Sequence, residues 1–134
     1  TMIRTGEGAG ITGVIMNQQT VDIFNPKTIR ATMGSIFRVP FVYVPELSPV
    51  LTQMHEKGIH TYAAHLKGQK YYDSFSFREP TAFLIGNEGN GLTKEISDQA
   101  GQYLKIPMEG KVESLNASIA AALLMYEAHR QRNL

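Results

Sequence analysis

Thr81-Ala82-Phe83-Leu84-Ile85-Gly86-Asn87-Glu88-Gly89-Asn90-Gly91-Leu92 is the stretch on which the fold turns. Thr81 to Ile85 reads as a short apolar strand of the kind found in parallel sheets. Gly86 to Gly91 follows as a loop, and Thr93 opens a helix to about Ala100. Three glycines in this loop let backbone amides come close to a ligand. In open α/β sheets, ligands bind beyond the carboxyl ends of strands. The spacing is not that of a dinucleotide fingerprint, and no Gly-Lys-Ser/Thr follows to make a phosphate loop. The glycines alone do not separate a plain turn from a ligand loop. Glu88 can bind the loop's own amides or orient a substrate, and both readings stay open.

Outward from this stretch, strands and helices alternate. Met2 to Gly10 reads as a helix with Gly8 and Gly10 at its end. Ile11 to Met16 is a strand. Asn25 caps a helix with Pro26 at its first position. That helix runs to Gly34, with Ile36 to Val39 as its extension before Pro40. Phe41 to Val44 is the next strand. Ser48-Pro49 opens a helix through Leu51, Met54 and His55, ending near Gly58. Thr61 to Leu66 is a strand, Tyr71 to Phe75 a loop, and Tyr103 to Ile106 another strand. Ser114 or Asn116 caps the last helix, Ala117 to about Arg132. The pattern predicts an α/β domain with a mostly parallel sheet and helices on both faces.

The chain has 134 residues, enough for one domain with a proper core. Thirteen basic and 12 acidic residues leave a net charge of +1. Any nucleic-acid site must therefore come from a local cluster of cations, not from bulk charge. There is no cysteine, which excludes disulfides and thiolate metal sites. His55, His60, His65 and His129 lack metal-ligand spacing, so no metal is expected. No apolar run approaches the roughly 20 residues of a membrane helix, and no signal peptide is visible. The expected address is cytoplasmic, with no membrane partner. The chain opens inside a helix, and the reading is a single domain over 1–134 truncated at its N-terminus. On the last helix, Ile119, Leu123 and Tyr126 share a stripe, read either as core or as a subunit interface.

A second feature is Ile106-Pro107-Met108-Glu109-Gly110-Lys111-Val112-Glu113-Ser114-Leu115-Asn116. A strand ends at a proline, crosses a polar loop and enters a helix through Ser-Leu-Asn. Capping alone accounts for Ser114 and Asn116.

Taken in order, Phe83 to Leu92, then Ile106 to Met108 with Ser114 to Ser118, resemble the second and third motifs of the SpoU (TrmH-like) family of RNA 2′-O-ribose methyltransferases. Ile3 to Gly10 resembles the end of the first motif. Asn25-Pro26 with Arg30 to Gly34 also resembles a stretch common in that family. The similarity covers nearly the whole chain.

The resemblance implies an α/β sheet whose C-terminal segment forms a deep trefoil knot, an exception to ordinary chain connections. It implies a homodimer with the site near the interface. It also implies an N-terminal strand, bearing the asparagine that begins the first motif, that this chain starts too late to contain. The implied activity is methylation of a ribose 2′-hydroxyl in tRNA or rRNA, with S-adenosylmethionine as methyl donor. Carried over by position, Gly86, Ile106 and Leu115, with Ala64 and Leu66, contact the cofactor. Arg4, Glu88, Ser114 and Asn116 take the catalytic positions, and Arg30 and Asn87 contact RNA. Arg4 acts on the ribose hydroxyl, as a base if its pKa is depressed or as a cation stabilising the alkoxide. The other reading is a non-catalytic module of the same fold that binds RNA or a partner.

Overall fold

The computed structural model describes residues 1–18, 20, 22–87 and 91–134. In chain order these form α1 (Met2–Ala9), β1 (Val14–Met16), α2 (Pro26–Thr32), β2 (Phe41–Tyr43), α3 (Ser48–Glu56), β3 (His60–Ala64), β4 (Thr81–Leu84), α4 (Lys94–Gln99), β5 (Gln102–Leu104) and α5 (Ala117–Arg132). Short 3-10 turns lie at Ser35–Phe37 and Tyr72–Ser74.

All pairings between the described strands are parallel, as the alternation predicted. They fall into two sheets rather than one: β1 with β2, and β4, β3, β5 in that order. Successive side chains of a strand face opposite sides, and β3 shows the consequence. Tyr62 and Ala64 pack into a cluster with Leu124 of α5. Thr61 turns the other way, where its hydroxyl meets His55 Nε2 of α3 at 2.8 Å and accepts the Gly101 N–H at 2.7 Å. Helices therefore cover both faces of the three-stranded sheet.

The direction of α5 is fixed by its two ends. Near its carboxyl end, Gln131 Oε1 accepts the Phe77 N–H at 2.6 Å, and Arg132 donates to the carbonyls of Phe77 and Glu79, just before β4. Further back, Ala121 and Met125 pack with Phe83 and Ile85, at the far end of β4. So α5 runs against the strands, and its amino end points to their carboxyl edge.

Two sequence expectations are refined. Gly8 lies inside α1, and Gly10 alone takes the left-handed cap, at φ +82°. A Cβ on Gly8 would sit 2.7 Å from the Tyr126 hydroxyl, and one on Gly6 2.4 Å from Ile11 Cδ1 and 3.6 Å from Met125 Sδ. Each helical glycine costs about 1 kcal/mol relative to alanine; here they let α1 and α5 close on each other. Second, α2 starts as read, with Asn25 Oδ1 accepting the Lys27 N–H at 3.0 Å, but it ends early. Met33 and Gly34 are both left-handed, at φ 51° and 88°, and the chain restarts as the Ser35–Phe37 turn instead of extending the helix.

Candidate functional site at the carboxyl edge of the three-stranded sheet

The parallel register sets Ala63 beside Leu84 and Ala64 beside Leu104. The ends of β3, β4 and β5 are therefore level. Gly86 and Ile106 each lie two residues past such an end and are half-buried, as is Ala64. Leu66 is 62 % exposed, an open apolar side chain at the same edge. The His65 N–H donates to the Leu104 carbonyl at 3.0 Å, and the Gly68 N–H returns to the His65 carbonyl. The His65 ring stacks on Tyr103 with centroids 4.5 Å apart.

The loop after β4 folds back tightly on itself. The Asn87 carbonyl accepts the Gly91 N–H at 2.8 Å. A Cβ at Gly86 would lie 2.2 Å from both Gly91 C and Leu92 N. Only glycine fits where backbone crosses backbone this closely. Asn87 is exposed on this loop. Glu88, with Gly89 and Asn90, lies outside the described residues.

The amino end of α5 arrives at the same edge. Asn116 Oδ1 accepts N–H bonds from Ser118 at 2.9 Å and Ile119 at 3.3 Å, so its side chain caps the helix. Leu115 is half-buried and Ser114 exposed. The helix dipole adds partial positive charge here.

No hydrogen bond or ion pair among the described residues joins Arg4 or Arg30 to this group. Arg4 is exposed on α1, and among the described residues its guanidinium has no hydrogen-bonded or ionic partner. Its helix packs both ways, Ile3 with Met16, Ile23 and Ile36, and Met2 and Ala9 with Ala121 and Met125 of α5. Arg30 is exposed in the last turn of α2. The structure thus levels Ala64, Gly86 and Ile106 at one edge, toward which the amino end of α5 points, and carries Arg4 on a helix that spans both halves.

The sequence reading passed over a polar tie on that half. Glu7 Oε1 accepts from the buried Ser35 hydroxyl at 2.8 Å and from Arg38 Nη2 at 2.8 Å, and Arg38 Nε donates to Oε2. The Arg38 guanidinium, then the Ser35 hydroxyl, hold the Glu7 carboxyl below the usual carboxylate range. The partners lie 28 and 31 residues apart, so no local pattern marks them.

A shallow groove of about 420 Å³ runs along the outer side of α5, lined by Tyr72, Ile119, Ala122, Leu123, Tyr126 and Glu127. It is apolar and open. Among the described residues, no three His, Asp or Glu side chains gather as metal ligands, and no helix is long and apolar enough to cross a membrane.

The sequence pattern of the SpoU rRNA Methylase family matches residues 1–126. The 23S rRNA (guanosine(2553)-2′-O)-methyltransferase RlmP of Bacillus subtilis is 35 % identical over 126 residues, covering 94 % of this chain and 50 % of that protein. The structure of the SpoU methyltransferase AviRb from Streptomyces viridochromogenes, in complex with the cofactor AdoMet, is 34 % identical. It superposes with a TM-score of 0.91 over 98 % of this chain and 54 % of the other. An AdoMet-bound rRNA methyltransferase from Sinorhizobium meliloti is 35 % identical, with a TM-score of 0.87 over 97 % of this chain and 50 % of the other. The chain spans about half the length of the curated relatives it matches.

Proposed function

The chain belongs to the SpoU rRNA methylase family, and from that premise we propose that its protein transfers a methyl group from S-adenosylmethionine to a ribose 2′-hydroxyl of tRNA or rRNA. The observation that carries this reading is the edge where three parallel strand ends meet the amino end of α5. Ala64, Ile106 and Leu115 offer half-buried apolar surface there, and Leu66 an exposed apolar side chain. Gly86 and Ile106, two residues past the strand ends, place main chain beyond the ladder where it can face an adenine. The pinched backbone at Gly86 shapes the wall. These residues suit S-adenosylmethionine, which supplies an electrophilic sulfonium methyl when bound.

The chain's own residues then have to position a ribose and help its hydroxyl lose a proton. Arg4 has the uncommitted charge for this. Arginine stays protonated in ordinary surroundings, so its role is to stabilise the negative charge growing on the 2′-oxygen. The exposed Ser114 hydroxyl can bind the ribose or its phosphate. Asn116 sets the helix entry through its cap, and Glu88 is assigned to holding Arg4 or shaping its loop. Arg30 and Asn87 are assigned to RNA.

The reading extends to a cytoplasmic homodimer. Ile119, Leu123 and Tyr126 are 52 %, 37 % and 45 % exposed along the α5 groove, which suits a second copy. It also includes the knotted C-terminal segment and a further strand ahead of α1. The outer strands β1, β2, β4 and β5 each have one edge that pairs with no described strand.

Calorimetry of the full-length protein with S-adenosylmethionine, and with its demethylated product, tests the cofactor site. Binding is expected, and its absence overturns the reading. Arg4→Ala should lower methyl transfer to RNA by about 10²–10³-fold, the cost of removing one charge-stabilising donor, and leave cofactor affinity unchanged. Undiminished transfer removes Arg4 from the mechanism. Monomer alone at micromolar concentration in light scattering overturns the dimer.

A further inference from the structure

The turn after α2 displays an aromatic ring to solvent on a rigid mount. Phe37 is 85 % exposed, between Ile36 at 5 % and Arg38. The mount is fixed from below. Ile36 packs with Met16 and Ile23, Ser35 donates its hydroxyl to Glu7, and Val39 is buried. Two successive left-handed residues, Met33 and Gly34, turn the chain outward just before it. Met33 is 67 % exposed on the same turn. A phenylalanine this open on a backbone this constrained is built to meet something.

Charge indicates what. No acidic residue occurs between Asp22 and Glu46, while Lys27, Arg30 and Arg38 do. Glu7 occupies Nε and Nη2 of Arg38, and Nη1 lies over Gly34, 3.3 Å from where a Cβ would stand. Lys27 and Arg30 are exposed and have no ionic partner among the described residues. Folding brings one acid to this turn, Glu7, and Arg38 and Ser35 hold it, so Lys27 and Arg30 remain the uncommitted charges of the segment. A polyanion with flat faces needs both parts: cations for its phosphates and a ring for an unstacked base.

We propose that Phe37 is a stacking platform for an unpaired base of the RNA substrate, with the exposed Lys27 and Arg30 of the preceding helix as phosphate contacts. This rests on the RNA reading above and adds to it the form of RNA that is held, a single-stranded or looped segment beside the methylated nucleotide.

The test measures binding of a labelled short single-stranded oligouridine to the full-length protein by fluorescence anisotropy. Phe37→Ala and Phe37→Leu should both weaken binding about tenfold, within the range one base on one ring contributes. Phe37→Tyr, which keeps the ring, should bind as wild type. Arg30→Gln should reduce the slope of log affinity against log salt by about one. Unchanged melting temperature and S-adenosylmethionine affinity certify each variant as folded. If Phe37→Ala binds RNA as tightly as wild type, the platform is wrong and the methyltransferase reading stands. If Phe37→Leu retains binding while Phe37→Ala is monomeric, the patch joins two copies and the proposal falls. If wild-type protein binds no oligouridine, the platform falls, and the methyltransferase reading is decided separately by methyl transfer to RNA.

Discussion

The three-stranded and two-stranded halves of this molecule are built on different terms. Behind β3, β4 and β5, Phe77, Leu104 and Leu124 are wholly buried, and Phe77 meets Tyr62 and Phe83 edge to face at 5.1 and 5.0 Å. Around β1 and β2, Ile15, Val42 and Tyr43 are 40 %, 49 % and 38 % exposed, and a polar tie through Glu7 joins α1 to the turn after α2. The difference matches the work assigned to each. A cofactor site needs strand ends that do not move, and apolar packing under them supplies that. An RNA-facing surface needs exposed cations and rings, and a polar tie can hold it without burying them.

The largest effect should come from breaking the buried side. Phe77→Ala removes a fully enclosed ring and should cost about 3–5 kcal/mol, read from denaturant unfolding of the full chain. Ile15→Ala, on the open side, should stay within about 0.5 kcal/mol of wild type. Equal costs would dissolve the contrast. Next comes the link between α5 and the strand entry. Gln131 is buried, accepting from Phe77 N and donating to the Phe75 carbonyl at 2.9 Å. Gln131→Ala strands the Phe77 N–H and should cost about 1–3 kcal/mol.

A smaller effect separates rigidity from function within the same half. Gly86→Ala puts a methyl into the backbone of Gly91 and Leu92, so the loop must shift. S-adenosylmethionine affinity should fall about tenfold or more, equivalent to at least about 1.4 kcal/mol, while the Phe77 core stays intact. Calorimetry that finds wild-type affinity would show that this loop does not shape the cofactor wall.

These residues also mark how far the sequence could be read. Caps were legible because their chemistry is local: Asn25 and Asn116 each accept from an amide two or three residues on. The parallel α/β alternation was legible for the same reason, and so was the glycine loop at a strand end. Pairing between strands is not local, and the division into two sheets was invisible. Phe77 lies in a stretch with no periodicity, so nothing foretold that the core would close on it. Glu7 reads as an ordinary helix carboxylate until folding brings Arg38 to it. Among the site residues, Gly86, Ile106 and Leu115 came from motif order, and their convergence depends on the direction of α5, which no motif states.

The smallest effect tests the polar tie itself. Glu7 has its folded pKa lowered, first by the hydrogen bond from Arg38 and then by that from Ser35. Such a group stabilises the fold at pH above its unfolded pKa, about 4.3 for glutamate. That contribution is lost as pH falls through the lower, folded pKa. Asp98 and Glu127 are lowered too, by Lys94 and Arg130, so acid weakens wild type for several reasons. The comparison with Glu7→Gln isolates one of them. Its melting temperature should lie slightly below wild type at neutral pH, and the gap should close as pH drops below the carboxylate range. Hydrogen exchange should localise the loss, faster at Val14 to Met16 and unchanged at Tyr62 to Ala64. Superposable melting profiles would mean that Glu7 ties nothing, and that the apolar contacts of Met16, Ile23 and Ile36 hold the open half as packing holds the other.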